Sequence, residues 1–221
     1  MSHSYSSAVE LNNQGVSMIE SGDYSLAGET LKRALHLFKA SCIESDVRYK
    51  ADTPVTFRWS TSNILATDLQ SDAGSGSCYV FTRALLMVPS QLSGNHCCYA
   101  ESAVLLYNLS LSFHIKGLLS NSSTLLEKAL KAYKISLAIC RRQKLCQKLQ
   151  TDRLMEIAIN NNMAMIYQEF MEFDRARICL VAVSRALRSL GNKGFLEPTE
   201  YQGLVLNLMM GRHEITLAAA A

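Results

Sequence analysis

The sequence predicts an all-α protein, a stack of antiparallel helix pairs with a non-helical or short β insert around residues 45–98. Three observations support this fold class. Apolar residues recur at steps of three and four over most of the chain, which places them on one stripe of a helix. The insert loses this period and contains Pro54 and Pro89. With 221 residues, of which 48% are hydrophobic and 19% charged, the chain can bury a core, and we expect one domain over residues 1–221.

The first helix pair is predicted over about residues 7–41. Its first apolar stripe is interrupted by the run SGDY. Gly22 can end a helix because glycine tolerates positive φ, and Asp23 or Ser25 can cap the next helix because either side chain accepts a hydrogen bond from a backbone N–H. We therefore expect a helix hairpin with a short turn.

The insert is predicted to contain one pair of short strands. Its segments VTFRWS and CYVFTRALLMV are rich in β-branched and aromatic residues, and the run DAGSGS lies between them. Such a composition favours strands that are bounded by turns.

Two more helix pairs and a final helix are predicted after the insert. The second pair covers about residues 99–150 and turns at SNSS, and the third covers about residues 152–190. The run GNKG and Pro198 then break the chain before a last segment, about 199–217, that begins with apolar residues on most faces. Such a helix is expected to cover the open end of the stack as a cap.

One order of residue types returns in all three helix pairs. An asparagine, a small residue and a large residue precede the turn, and an alanine and a second large residue follow it. The sets are Asn13, Gly15, Met18, Ala27 and Leu31; Asn108, Ser110, Phe113, Ala129 and Tyr133; and Asn162, Ala164, Tyr167, Ala176 and Leu180. Small residues let two helices approach closely, and large ones fill the space beside them.

The spacing in the second pair differs from that in the other two. Phe113 and Ala129 are 16 positions apart, whereas the equivalent residues of the other pairs are 9 apart. The extra residues lengthen either the turn of this pair or its helices.

This arrangement resembles an irregular form of the tetratricopeptide repeat, a 34-residue helix-turn-helix unit. The resemblance covers about half of the chain. It implies that the first helix of each pair lines a concave groove for a segment of another protein. By this alignment the groove would include Asn12, Asn13, Val16, Tyr107, Asn108, Leu111, His114, Asn161, Asn162, Met165 and Gln168.

The repeated asparagines Asn13, Asn108 and Asn162 are the most informative polar residues of this set. A carboxamide both donates and accepts hydrogen bonds, so it can pair with the backbone of an extended segment. As exposed helical residues they should matter for binding and little for folding. Alanine at all three positions is therefore expected to leave the stability similar or slightly higher.

Charge and composition argue against several other classes. The net charge of +3 arises from 22 basic and 19 acidic residues, so nucleic acid is an unexpected partner. The basic face at 134–148, which carries Lys134, Arg141, Lys144 and Lys148, is interpreted as a solvated helix face. No run of membrane-spanning length and no signal segment is seen, which predicts a soluble intracellular protein of the cytoplasm or nucleus.

No metal or cofactor is predicted. Cys78, His96, Cys97 and Cys98 include the residue types that bind zinc, but their spacing does not match that of a zinc site. The expected function is a non-catalytic protein-interaction module or scaffold that binds a partner segment in its groove, with self-association as a further option. The alternatives are a structural or self-assembling protein whose groove is filled by its own insert, and a nucleic-acid-binding protein that uses the basic helix.

Overall fold

The computed structural model describes residues 3–44, 55–60, 79–89, 98–143, 151–190 and 196–218. Within these ranges the chain forms seven α-helices and a two-stranded sheet. The elements are α1 (His3–Glu20), α2 (Tyr24–Glu44), β1 (Val55–Trp59), β2 (Leu85–Pro89), α3 (Cys98–Leu119), α4 (Ser123–Gln143), α5 (Thr151–Glu169), α6 (Phe173–Leu190) and α7 (Pro198–Ala218). The predicted class, all-α with a small β insert, is confirmed.

The chain divides into two compact units. Unit 1 consists of Met1–Ile64 and Arg83–Gln147, and unit 2 consists of Leu65–Thr82 and Lys148–Ala221. In unit 1, α1 packs on α2, and α3 packs on both α2 and α4. In unit 2, α5 packs on α6, which also contacts α7. The predicted association of all helix pairs into one stack stays a prediction.

The turn of the first hairpin has the conformation that its sequence predicts. Gly22 has a φ of 83°, and the backbone N–H of Asp23 donates to the carbonyl of Met18 at 2.9 Å. These are features of a helix end with a left-handed residue. The Asp23 carboxylate then accepts from the N–H of Leu26 at 3.1 Å and caps α2.

The other two hairpins turn in the same way. Asn121 and Met171 have φ values of 48° and 57°, and the residue after each donates its N–H to a carbonyl five residues earlier, as Asp23 does. The turn of the second hairpin is therefore no longer than the others. Its extra residues lie within the helices on both sides of Asn121, in the part of α3 that follows Phe113 and the part of α4 that precedes Ala129. This answers the question left open by the sequence.

The first hairpin is closely packed at Gly15. A β-carbon at this position would lie 2.6 Å from Cγ of Leu31 on α2. We expect Gly15→Leu to lower the free energy of unfolding by about 1–3 kcal/mol or more, because overpacking forces the helices apart. Chemical denaturation measures this, with Gly28→Ala as the control, since a β-carbon there would meet its nearest atom, in the Phe113 ring, at 3.3 Å. Equal stability of the two variants would contradict the close approach.

The predicted strand pair is present in unit 1. Strands β1 and β2 are antiparallel, with Val55 opposite Pro89 and Trp59 opposite Leu85. Residues 79–84, which precede β2, belong to no strand within the described part of the chain. We call residues 79–89 the insert segment.

The core of unit 2 joins its three helices. Ile157 of α5, Val183 of α6 and Leu204 of α7 are buried together. Tyr79 of the insert segment packs against this cluster, and a β-carbon on Gly203 of α7 would overlap its ring. Helix α7 therefore contacts the insert segment as well as α6.

Candidate functional site

The repeated asparagines bind the backbone of the insert segment. In unit 1, the Asn13 amide donates to the carbonyl of Met87 at 2.8 Å and accepts from its N–H at 2.9 Å. The Asn108 amide pairs in the same way with Leu85, at 2.8 and 2.9 Å. Asn12 also donates to the Leu85 carbonyl at 3.0 Å and accepts from Asn108 at 2.9 Å. The two clamped backbone residues are thus separated by one residue.

Unit 2 repeats this arrangement. The Asn162 amide pairs with the N–H and the carbonyl of Phe81, both at 2.8 Å. The Asn207 amide accepts from the N–H of Tyr79 at 2.8 Å and donates to its carbonyl at 2.6 Å. Asn161 donates to the same Tyr79 carbonyl at 3.0 Å and accepts from Asn207 at 2.8 Å. Asn161 therefore has the position in unit 2 that Asn12 has in unit 1.

Asn207 is not among the groove residues that the sequence predicts, because the last helix is predicted only to cap the stack. A signal was present in the sequence. Asn207 is a single polar residue in the apolar run LVLNLMM, and Asn108 lies in the similar run VLLYNLS. An isolated asparagine inside an apolar helical stripe requires hydrogen-bond partners when it is buried. We call Asn13, Asn108, Asn162 and Asn207 the asparagine clamps, two in each unit.

The asparagine clamps take the place of a neighbouring strand. In an extended chain, the N–H and carbonyl of one residue point to the same side, and those of residues two positions apart share that side. A carboxamide has the same donor and acceptor groups as a peptide bond. In unit 1, the clamps therefore satisfy one edge of β2, and β1 pairs with the other edge.

Tyr107 binds the carbonyl of Arg83, on the side of the segment that faces the clamps. The Tyr107 hydroxyl donates to the Arg83 carbonyl at 2.7 Å. The Arg83 side chain donates through Nε to the carbonyl of Ser60 at 2.9 Å and lies 5.9 Å from the centre of the Trp59 ring. The alignment with the repeat family placed Tyr107 among the groove residues, and the structure places its hydroxyl on the insert segment.

The expectation that the repeated asparagines are exposed is wrong. Asn108 and Asn162 are fully buried, and Asn13 is partly buried. The physical reason is that the insert segment covers the helix face on which these side chains lie. Because their removal would leave buried backbone groups with fewer hydrogen bonds, we now expect the triple alanine variant to be less stable than wild type rather than equally stable.

The other predicted groove residues offer little surface in this conformation. Val16, Leu111 and Met165 are buried side chains of the core. His114 is fully buried, and Gln168 is half-buried. The structure therefore brings the asparagines and Tyr107 of the predicted set to the backbone of the insert segment. His114 has no such contact among the described residues, and the apolar members stabilise the helices.

His114 is an exception among the buried polar side chains. Neither ring nitrogen has a hydrogen-bond partner in the described part of the chain, and the ring lies edge-on to Tyr133 with centroids 6.0 Å apart. Burial lowers the pKa of His114 from 6.5 to about 3, because the charged imidazolium is disfavoured in an apolar environment. His114 is therefore neutral in the folded protein near pH 7.

The alternative sites considered from the sequence fall largely outside the described residues. Cys78, His96 and Cys97 lie outside them, and only the backbone of Cys98 is described. Among the described residues, no group of three or more His, Cys, Asp or Glu side chains could hold a metal ion. On the basic face, Lys134 and Arg141 are exposed, and Lys144 and Lys148 lie outside the described ranges.

The clamps have a limited chemical capacity. Carboxamides are neutral and do not titrate between pH 5 and 8, and they supply directional hydrogen bonds rather than a nucleophile or a base. Bidentate pairing with a backbone recognises an extended conformation but does not depend on the side chains of the bound segment.

Among the described helices, none combines the length and the apolar character that crossing a membrane requires.

The chain was compared with protein-family models, with curated protein sequences and with solved structures. None of these three comparisons gave a match.

Proposed function

We propose that this chain is a non-catalytic protein-interaction module, similar to a tetratricopeptide-repeat protein, that binds an extended polypeptide segment through the asparagine clamps. One observation carries the proposal: four carboxamides pair with both backbone groups of Tyr79, Phe81, Leu85 and Met87. Because these contacts use only the backbone, a segment of another protein can make the same bonds. The partner is therefore another protein or a peptide.

A second candidate function is a structural role in which the insert segment stays bound. Complete burial of Phe81, Leu85 and Met87 favours this alternative, since each such side chain contributes about 1.5–3 kcal/mol when it is removed from water. In this case the clamps would hold the insert permanently, as internal strands hold each other. The two functions differ in how readily the insert segment leaves the clamps.

Native-state hydrogen exchange distinguishes these functions. If the clamps serve a partner, we expect the amide hydrogens of Phe81, Leu85 and Met87 to exchange through a local opening whose free energy is lower than that of global unfolding. The buried amides in the middle of α3 provide the internal reference. Exchange of all these amides only by global unfolding would contradict an interaction function and support the structural one.

A further inference from the structure

The clamps of unit 1 bind one extended segment at a time. Both polar atoms of the Asn13 amide bond to Met87, and both polar atoms of the Asn108 amide bond to Leu85. A second segment can therefore make these bonds only after residues 83–89 leave. Any partner of this surface competes with the chain's own insert.

The side chains of the bound residues determine which competitor fits. Leu85 and Met87, whose backbones are clamped, are fully buried, and Ala84 is fully buried beside them. Leu86 and Val88 are only half-buried. A bulky side chain that is unbranched at Cβ thus fits each of the two clamped positions, and a small residue fits the position before the first of them. The alternate positions accept a wider range of side chains.

The direction of the bound segment is also defined. Leu85 is held from α3, and Met87 is held from α1, so the segment runs opposite to the order of these helices in the chain. Asn12 reaches from α1 to the Leu85 carbonyl, which links the two positions. A competitor that follows the same direction places its N–H and carbonyl groups at both amides without a rotation of either asparagine side chain.

We propose that residues 83–89 are a built-in competitor for a partner segment that carries a small residue, then two bulky apolar residues with one residue between them, and that binds in this direction to the clamps of α1 and α3. The inference rests on the proposed function and adds to it the partner's chemistry and its regulation. Partner affinity is reduced by the fraction of molecules in which the insert has left the clamps. Weakening the insert therefore strengthens partner binding.

The test uses the full chain and a fluorescent synthetic peptide with the sequence of residues 83–89. This peptide carries the two residues that bind the clamps of unit 1 and neither of those that bind the clamps of unit 2. In the chain, Leu85→Ser with Met87→Ser removes the two buried anchors of the insert and leaves the asparagines intact. The matched control is Leu86→Ser with Val88→Ser, which lowers hydrophobicity at half-buried positions of the same strand. We expect the first variant to bind the peptide about tenfold or more tightly than wild type, and the control to change the Kd much less.

The peptide is varied in the same way. We expect the peptide with Leu85→Ser and Met87→Ser to bind about tenfold or more weakly than the unmodified peptide, and the one with Leu86→Ser and Val88→Ser to bind nearly as well. Fluorescence anisotropy measures all Kd values, and far-UV circular dichroism verifies that each chain is folded. If the double variant of the chain does not fold, Met87→Ser alone is used, with a smaller expected gain.

Each outcome has a separate meaning. Equal binding of the two modified peptides would overturn the side-chain preference and leave the proposed backbone-binding function in place. Equal binding of the peptide by wild type and the weakened insert variant would overturn the competition. If no peptide bound to any folded variant, and hydrogen exchange showed opening of the insert segment only by global unfolding, both this inference and the proposed function would be overturned.

Discussion

Asn162→Ala is expected to lower the free energy of unfolding by about 2–4 kcal/mol. The substitution removes the partner of both backbone groups of Phe81, which lie within a buried part of unit 2. An unsatisfied buried donor or acceptor costs about 1–3 kcal/mol. The better helix propensity of alanine offsets this by only about half a kcal/mol. Chemical denaturation gives the overall change, and hydrogen exchange at the Phe81 amide shows whether the loss begins at the insert segment.

Asn160→Ala is the matched control on the same helix. Asn160 is also buried, but its amide donates to the carbonyl of Glu156, one turn earlier in α5, at 2.7 Å. That carbonyl is already positioned within the helical hydrogen-bond pattern, so we expect a change of less than about 1 kcal/mol. A loss of similar size in both variants would show that any buried asparagine of α5 matters equally, and that pairing with the insert segment contributes nothing special.

Acidification is expected to destabilise the protein through His114. The ordinary pKa of a histidine side chain is 6.5, and burial lowers the pKa of His114 to about 3 in the folded protein. The unfolded chain therefore takes up a proton below pH 6.5 that the folded chain does not, and stability falls as the pH decreases from 6.5 towards 3. The free energy of unfolding falls by about 1.4 kcal/mol for each pH unit below 6.5, so protonation of His114 in the unfolded chain lowers it by roughly 2–3 kcal/mol at pH 4.5.

His114→Leu isolates this contribution. Leucine has no group to protonate and removes two buried nitrogens that have no hydrogen-bond partner within the described residues. The variant should be at least as stable as wild type at pH 7.5. Between pH 7.5 and 4.5, its free energy of unfolding should fall by roughly 2–3 kcal/mol less than that of wild type. Urea denaturation at the two pH values measures both effects. Parallel pH profiles for the two proteins would show that His114 is not buried in its neutral form.

Local sequence information determined most of the helical framework. The three helix hairpins, the turn at Gly22, the cap at Asp23 and the β pair in the insert follow from periodicity and from the conformational preferences of individual residues. These features depend on residues that are close together in the chain. The equivalence of Asn13, Asn108 and Asn162, and their pairing with an extended backbone, could also be predicted, because a carboxamide has the donor and the acceptor that a peptide group requires.

Only the tertiary structure showed what these asparagines bind. The segment at Asn162 comes from the same chain, 81 residues earlier, and no local pattern specifies such a distant pairing. A backbone has the same donors and acceptors in every sequence, so the amides themselves do not select their ligand. Long-range packing likewise decides three other features. It buries Asn108, brings Asn207 to the Tyr79 backbone, and leaves the His114 ring nitrogens without a hydrogen-bond partner among the described residues. The sequence determined the residues that bind a backbone, and the fold decided which backbone they bind.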